Sequence, residues 1–104
     1  MLFVETTVFT KDIKAFLPDE EYRQLQLALM LRSDSGELIQ HSGGLRKIRW
    51  NLPGGGKRGG LRIIYYWDQP DTIYLLLAYQ KSAQEDLTSG QLKMLRRFVK
   101  EWIQ

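Results

Sequence analysis

The sequence predicts an α+β fold: a mostly antiparallel four-stranded sheet, in the chain order β-α-α-β-β-β-α, with its helices packed on one face. Three observations predict it. Residues 45–80 contain three runs rich in Ile, Leu, Tyr and Trp, separated by a glycine-rich stretch and by the turn Asp68-Gln69-Pro70-Asp71, the pattern of successive strands. One segment before these runs and one after them repeat apolar residues at the three- and four-residue spacing of amphipathic helices. The chain has 104 residues, 43% hydrophobic and 26% charged, which suits a single domain spanning 1–104 with a core of its own.

Leu2 to Phe9, rich in Val, Thr and Phe, reads as the first strand. Lys11 to Leu17 reads as a short helical turn. Pro18 then precedes Asp19, Glu20 and Glu21, a negative cluster suited to the positive end of a helix dipole. The helix it opens is expected to run to about Arg32. Tyr22, Leu25, Ala28 and Leu29 fall on one face, and Leu27, Met30 and Leu31 widen the stripe, so burial against both the sheet and the short helix is expected. Ser33 to Gly36 is turn-like, and Leu38 to Gly44 reads as a loop.

Leu45–Trp50 and Leu61–Trp67 are expected as the central strands, joined by the loop Asn51–Gly60. Gly54, Gly56 and Gly59 match G-x-G-x-x-G there, but a dinucleotide fingerprint opens a helix and this one leads into a strand. Nor is it a phosphate-binding loop of the G-K-[ST] type, since Arg58 follows Lys57. A mobile basic hairpin able to approach a phosphate backbone is the better reading. Thr72–Gln80 is a largely apolar fourth strand. Thr88 and Gln91 have capping-box spacing, Leu87 can staple onto Leu92, and the apolar face continues through Leu95, Phe98, Val99 and Trp102. Lys93, Arg96, Arg97 and Lys100 are left largely outward.

Charge is concentrated. The formal net charge is only +3, yet no acidic residue occurs between Glu37 and Asp68, a segment holding Arg46, Lys47, Arg49, Lys57, Arg58 and Arg62. Such a run is easier to hold together when an anion rests on it, so a polyanionic partner is expected. On adjacent strands Lys47, Arg49 and Arg62 can share a face. Trp50, Tyr65, Tyr66 and Trp67 offer flat surfaces for stacked bases, although aromatic residues in strands equally serve as core.

The inventory excludes much chemistry. There is no cysteine and a single histidine, His41, which removes disulfides, thiolate nucleophiles and the His- or Cys-rich zinc sites. The carboxylates sit at helix starts and turns rather than in a D-x-D-like cluster, which argues against a metal-dependent nuclease, so neither metal nor cofactor is expected. His41 lies in a polar loop, where a backbone-bonded or exposed role is the simpler one. The N-terminus lacks a basic leader and no apolar run reaches the length of a membrane span, so a soluble cytoplasmic protein is expected.

RNA cleavage needs no metal. A 2′-hydroxyl attacks its adjacent phosphate once its proton is removed, the developing charge is stabilised and the leaving oxygen is protonated. Arginine stays protonated and suits charge stabilisation. Lys47, flanked by Arg49 and Arg62, is the first candidate base, because like charge disfavours its ammonium form. Simple phosphate contact is the plainer role for the same residue.

GGLRKIRW, then KRGGLRIIYYW, then YLLLAYQKSAQEDLT together resemble the RelE superfamily of bacterial toxins, and most closely its HigB-type branch, over nearly the whole chain. The resemblance implies a compact RelE-like fold and a ribosome-dependent mRNA endonuclease that cleaves the message in the 30S A site. It also implies a cognate antitoxin, commonly with a helix-turn-helix domain, through which operator DNA is bound. By motif, Lys47 and Arg49 match the K-x-[KR] pair, Arg62 the arginine of the next strand, and Lys81 the basic position after the last. Two positions depart from the pattern: Ser82 replaces an expected arginine, and Thr88 an expected tyrosine. Tyr79 or Lys81 is then expected to supply the general acid, with Arg46, Lys57, Arg58 and Tyr66 contacting RNA. A non-catalytic nucleic-acid-binding module would use the same basic strands, and a ParE-like gyrase toxin would share the fold. The Lys47, Arg49, Arg62 and Lys81 set argues against the latter.

Overall fold

The computed structural model describes residues 1–52 and 60–104. Lys57, Arg58 and most of the glycine-rich loop expected to form a basic hairpin lie outside the described residues.

The first strand, β1, is shorter than expected, covering only Leu2–Glu5, and helix α1 follows at once as Thr7–Phe16. Thr6 ends the strand. It keeps extended dihedrals while its Oγ1 accepts the Phe9 N–H at 3.0 Å, capping the helix. The same hydroxyl donates to the Leu76 carbonyl at 2.8 Å, which fixes the helix start against the sheet. Residues read as strand by their β-branched content are thus helical, and the expected short turn is a ten-residue helix. Phe9 and Ile13, four apart, bury its inner face.

Helix α2 spans Asp19–Leu31, with Asp19, Glu20 and Glu21 in its first turn. Leu25 and Leu29 are buried, but Leu27, Met30 and Leu31 are exposed, so the wide stripe is only half used. Glu37–Leu38 then forms β2, a two-residue edge strand opposite Lys47 and Arg46 in β3, Leu45–Asn51. Two residues are too few to leave a periodic signal. The remaining strands are β4, Gly60–Asp68, and β5, Thr72–Gln80, followed by α3, Ser89–Trp102.

The sheet has five strands in the order β1-β5-β4-β3-β2, with β1 parallel to β5 and the other pairs antiparallel. It is mixed rather than four-stranded and antiparallel. Side chains alternate along β4, and both sides are covered. Leu61, Ile63 and Tyr65 join Phe9, Ile13, Leu25 and Leu29 in one core, whereas Ile64 joins Leu45, Leu76, Tyr79, Leu95 and Val99 in another. The helices therefore pack on both faces, α1 and α2 on one and α3 on the other. A near-continuous apolar β4 requires this, since a strand apolar on both sides must be covered on both.

Tyr65 anchors the turn after α2. Its buried hydroxyl donates to the Ser33 carbonyl at 2.8 Å and accepts the Gly36 N–H at 2.9 Å. A Cβ on Gly36 would lie 2.7 Å from the Tyr65 ring, so this close approach requires glycine. At the other end of the chain the capping box forms as the spacing predicts. The Thr88 hydroxyl accepts from the Gln91 N–H at 3.0 Å, and the Gln91 side chain accepts from the Thr88 N–H at 3.1 Å.

Candidate active site

The candidate residues gather on the α3 side of the sheet, toward the loop that precedes that helix, where Asp86 meets Lys47. Register places Arg49 opposite Arg62, and Arg62 opposite Tyr79, so three side chains stand abreast on β3, β4 and β5. Lys47 lies two residues from Arg49 on the same face. Lys81, exposed, directly follows β5, and its N–H donates to the Gly60 carbonyl at 3.1 Å. Five expected residues are thus brought together: Lys47, Arg49, Arg62, Tyr79 and Lys81.

Burial divides them. Arg62 is only 7% exposed, whereas Arg49 is exposed. The Arg62 Nη1 donates to the Leu61 carbonyl at 3.2 Å, and a Cβ on Gly60 would fall 2.8 Å from it. Gly60 therefore leaves the space in which the guanidinium lies. Among the described residues neither Arg49 nor Arg62 has a carboxylate within salt-bridge distance. Two adjacent cations, one sunk in the sheet, form a ready site for a planar or tetrahedral anion.

Tyr79, next to Arg62 on β5, is 6% exposed, and its hydroxyl is a buried polar atom without a hydrogen-bond partner among the described residues. Burial pushes its phenol pKa upward, and the nearby Asp86 carboxylate adds to the rise while Arg62 opposes it. The protonated phenol is therefore favoured over the phenolate.

Asp86 is the neighbour of this row that the sequence reading passes over. Its Oδ1 lies 3.5 Å from the Lys47 Nζ and accepts the Leu87 N–H at 2.9 Å. Glu37 on β2 is also opposite Lys47. Lys47 is thus flanked by carboxylates as well as by the expected cations. The segment between Glu37 and Asp68 is free of acids in sequence, but acids outside it reach the basic strand in space. Only the edge pairing of β2 and the loop before α3 bring them there, and neither leaves a local pattern.

Other expected contacts are not brought to this row. Arg46 points to the opposite face with Tyr65 and donates to the carbonyls of Asp34 and Gly36 at 3.0 and 2.8 Å. Tyr66 shares the α3 face but lies four residues along β4 from Arg62, packed in the α3 core and accepting a hydrogen bond from Gln104 at 3.1 Å. Tyr65 is fully buried, and Trp50 and Trp67 pack against the α1 and α2 core. The expected stacking platform is therefore core. His41 has a positive φ of 59°, and its carbonyl accepts from Arg96 at 3.2 Å.

The chain that carries this row matches a known family. A model described as the RelE toxin of the RelE/RelB toxin-antitoxin system matches residues 6–104, which takes in every strand bearing the row and all three helices. The chain belongs to the RelE toxin family, whose members act as toxins paired with an antitoxin.

Proposed function

We propose that this toxin, of the HigB-type branch, is a ribosome-dependent endoribonuclease acting in the cytoplasm as one domain spanning 1–104, without metal or cofactor. The observation that carries the reading is the pair Arg49 and Arg62, abreast and without a carboxylate partner among the described residues, beside acid and base groups. The pair receives the scissile phosphate, with the planar forks stabilising the charge that develops on its oxygens. Lys47 clamps the phosphate and orients Asp86, whose carboxylate accepts the 2′-hydroxyl proton. The 2′-oxygen bonds to phosphorus, the bond from phosphorus to the 5′-oxygen breaks, and Lys81 protonates that oxygen. The products are a 2′,3′-cyclic phosphate and a 5′-hydroxyl. Tyr79, the buried cross-strand neighbour of Arg62, packs beside the guanidinium and limits its movement.

An open, shallow basic row has few means of fixing free RNA, so presentation of mRNA in the 30S A site supplies the alignment. The antitoxin, with a helix-turn-helix domain, carries the complex to operator DNA. The test is inducible expression with growth measured, followed by mapping of mRNA 5′ ends. Growth arrest with cuts confined to translated messages is expected; arrest without mRNA cleavage would point to gyrase or another target instead.

A further inference from the structure

The sheet edge beside the basic row is open. β2 pairs with β3 only at Glu37 with Lys47 and Leu38 with Arg46, whereas β3 runs on to Asn51. The Ile39 N–H donates to the Leu45 carbonyl at 2.9 Å. Backbone direction alternates along a strand, so Leu45, Lys47 and Arg49 all turn their N–H and C=O groups toward this outer edge. No strand meets Arg49 there among the described residues. Its backbone groups border a notch of about 390 Å³, walled by Ser35, Glu37, Lys47, Ile48 and Arg49.

Glu37 has no role in the row as described. It is exposed and stands opposite Lys47, but the Lys47 ammonium turns to Asp86 instead, at 3.5 Å. Among the described residues no cation lies within salt-bridge distance of the Glu37 carboxylate. A free carboxylate weakens the attraction of a basic row for phosphate, so its place here suits a ligand group that donates hydrogen bonds. Nucleobases are such groups, and single-stranded RNA is read along their Watson–Crick edges.

We infer that the notch reads the base on the 5′ side of the cut and selects guanine. This rests on the endoribonuclease reading, which puts the base at Asp86 and the acid at Lys81. Asp86 lies beside Lys47 on β3, and Lys81 follows β5. The nucleotide whose 2′-hydroxyl attacks therefore sits toward β3 and β2, and the nucleotide released with a 5′-hydroxyl toward β5. Glu37 and Arg49 are diagonal neighbours on one face, about 7 Å apart. The base of the attacking nucleotide thus enters the notch while its phosphate rests on Arg49 and Arg62. Guanine alone carries two adjacent donors on that edge, N1–H and N2–H, which the two Glu37 oxygens accept together. Its O6, next to them, accepts from the Arg49 N–H.

The test incubates the intact toxin with ribosomes programmed with messages that differ only in the base 5′ of the cut, and reads the cleavage rate on each. The wild type should cut after guanine about tenfold or more faster than after uracil, the scale of one good bidentate base contact. Glu37→Gln replaces two acceptors by one acceptor and one donor, the pattern that fits adenine. Its preference should move from guanine to adenine, while cleavage after uracil and cytosine stays within a few-fold of wild type. Glu37→Ala should cut after all four bases at similar rates. Both variants should melt as the wild type does, since the side chain is exposed. A Glu37→Gln protein that keeps the wild-type preference overturns the inference, as does a preference that follows only the base 3′ of the cut. Equal slowing after all four bases also overturns it, because Glu37 then serves the chemistry or the fold instead of the choice of base. A wild type that cuts no message removes the endoribonuclease reading itself, so the two failures are distinguishable.

Discussion

Arg49 and Arg62 face each other as a cross-strand pair on β3 and β4, the second only 7% exposed. Like charges directly opposite on a sheet are destabilising by a fraction of a kcal/mol to about 1 kcal/mol, so the fold retains an unfavourable pair at the centre of its basic row. Placing strain of this kind at a site of function follows a general pattern.

Arg62→Met tests it, because the substitution keeps the buried stem and removes the charge. The melting temperature should stay level or rise, while mRNA cleavage on programmed ribosomes falls about 10²- to 10³-fold, the scale for losing one transition-state charge contact. Cleavage within a few-fold of wild type would remove Arg62 from the chemistry.

Gly60 has a different dependence on the same side chain. A methyl there would sit 2.8 Å from the Arg62 Nη1, and the flexible end of the arginine can yield at little cost to the fold. Gly60→Ala should therefore melt near the wild type but cleave more slowly, by about tenfold or more, since small misplacements at a reacting centre are costly. A loss of stability with unchanged cleavage would show that the space serves packing.

The pairing of Lys47 with Asp86 at 3.5 Å separates clamp from base. Asp86→Asn keeps the acceptor for the Leu87 N–H but cannot take a proton at neutral pH. Cleavage should fall about 10²- to 10⁴-fold, whereas Lys47→Arg, which keeps the charge, should lose less. If Glu37→Gln is inactive and Asp86→Asn is not, the base is on β2; if both stay active, no carboxylate is the base.

Much of this site was legible in the sequence because period-two alternation fixes which residues share a face. Lys47 and Arg49 could be placed together from strand spacing, with Arg62 able to join them from the next strand, and the Thr88 capping box from its two residues. What was not legible depended on long-range pairing. Nothing local tells β1 to run parallel to β5, or brings Glu37 and Asp86 to Lys47. The aromatic residues misled for a related reason: Trp50, Tyr65 and Trp67 have the same identity whether they stack bases or fill a core, and only the register sends them to the α1 and α2 face. Thr6 belonged to neither class, since a capping threonine and a strand threonine are the same residue until the helix forms.

Three buried or partly buried phenols are expected to make the fold sensitive to alkali. Burial raises the pKa of Tyr22, Tyr65 and Tyr79, with the Glu5 carboxylate adding to the effect at Tyr22, which donates a hydrogen bond to it. Each group titrates near 10.0 when unperturbed. Above that pH the unfolded chain releases protons that the native state retains, so stability, fully present below it, falls as pH rises. The melting temperature should decline above about pH 10. Tyr65→Phe divides the effect into two parts. It removes the bonds to the Ser33 carbonyl and the Gly36 N–H, costing about 1–3 kcal/mol at neutral pH, and it removes one raised phenol. Its melting temperature should therefore start lower but decline less steeply above pH 10 than that of the wild type. Parallel declines in the two proteins would mean that Tyr65 does not contribute to the alkaline transition.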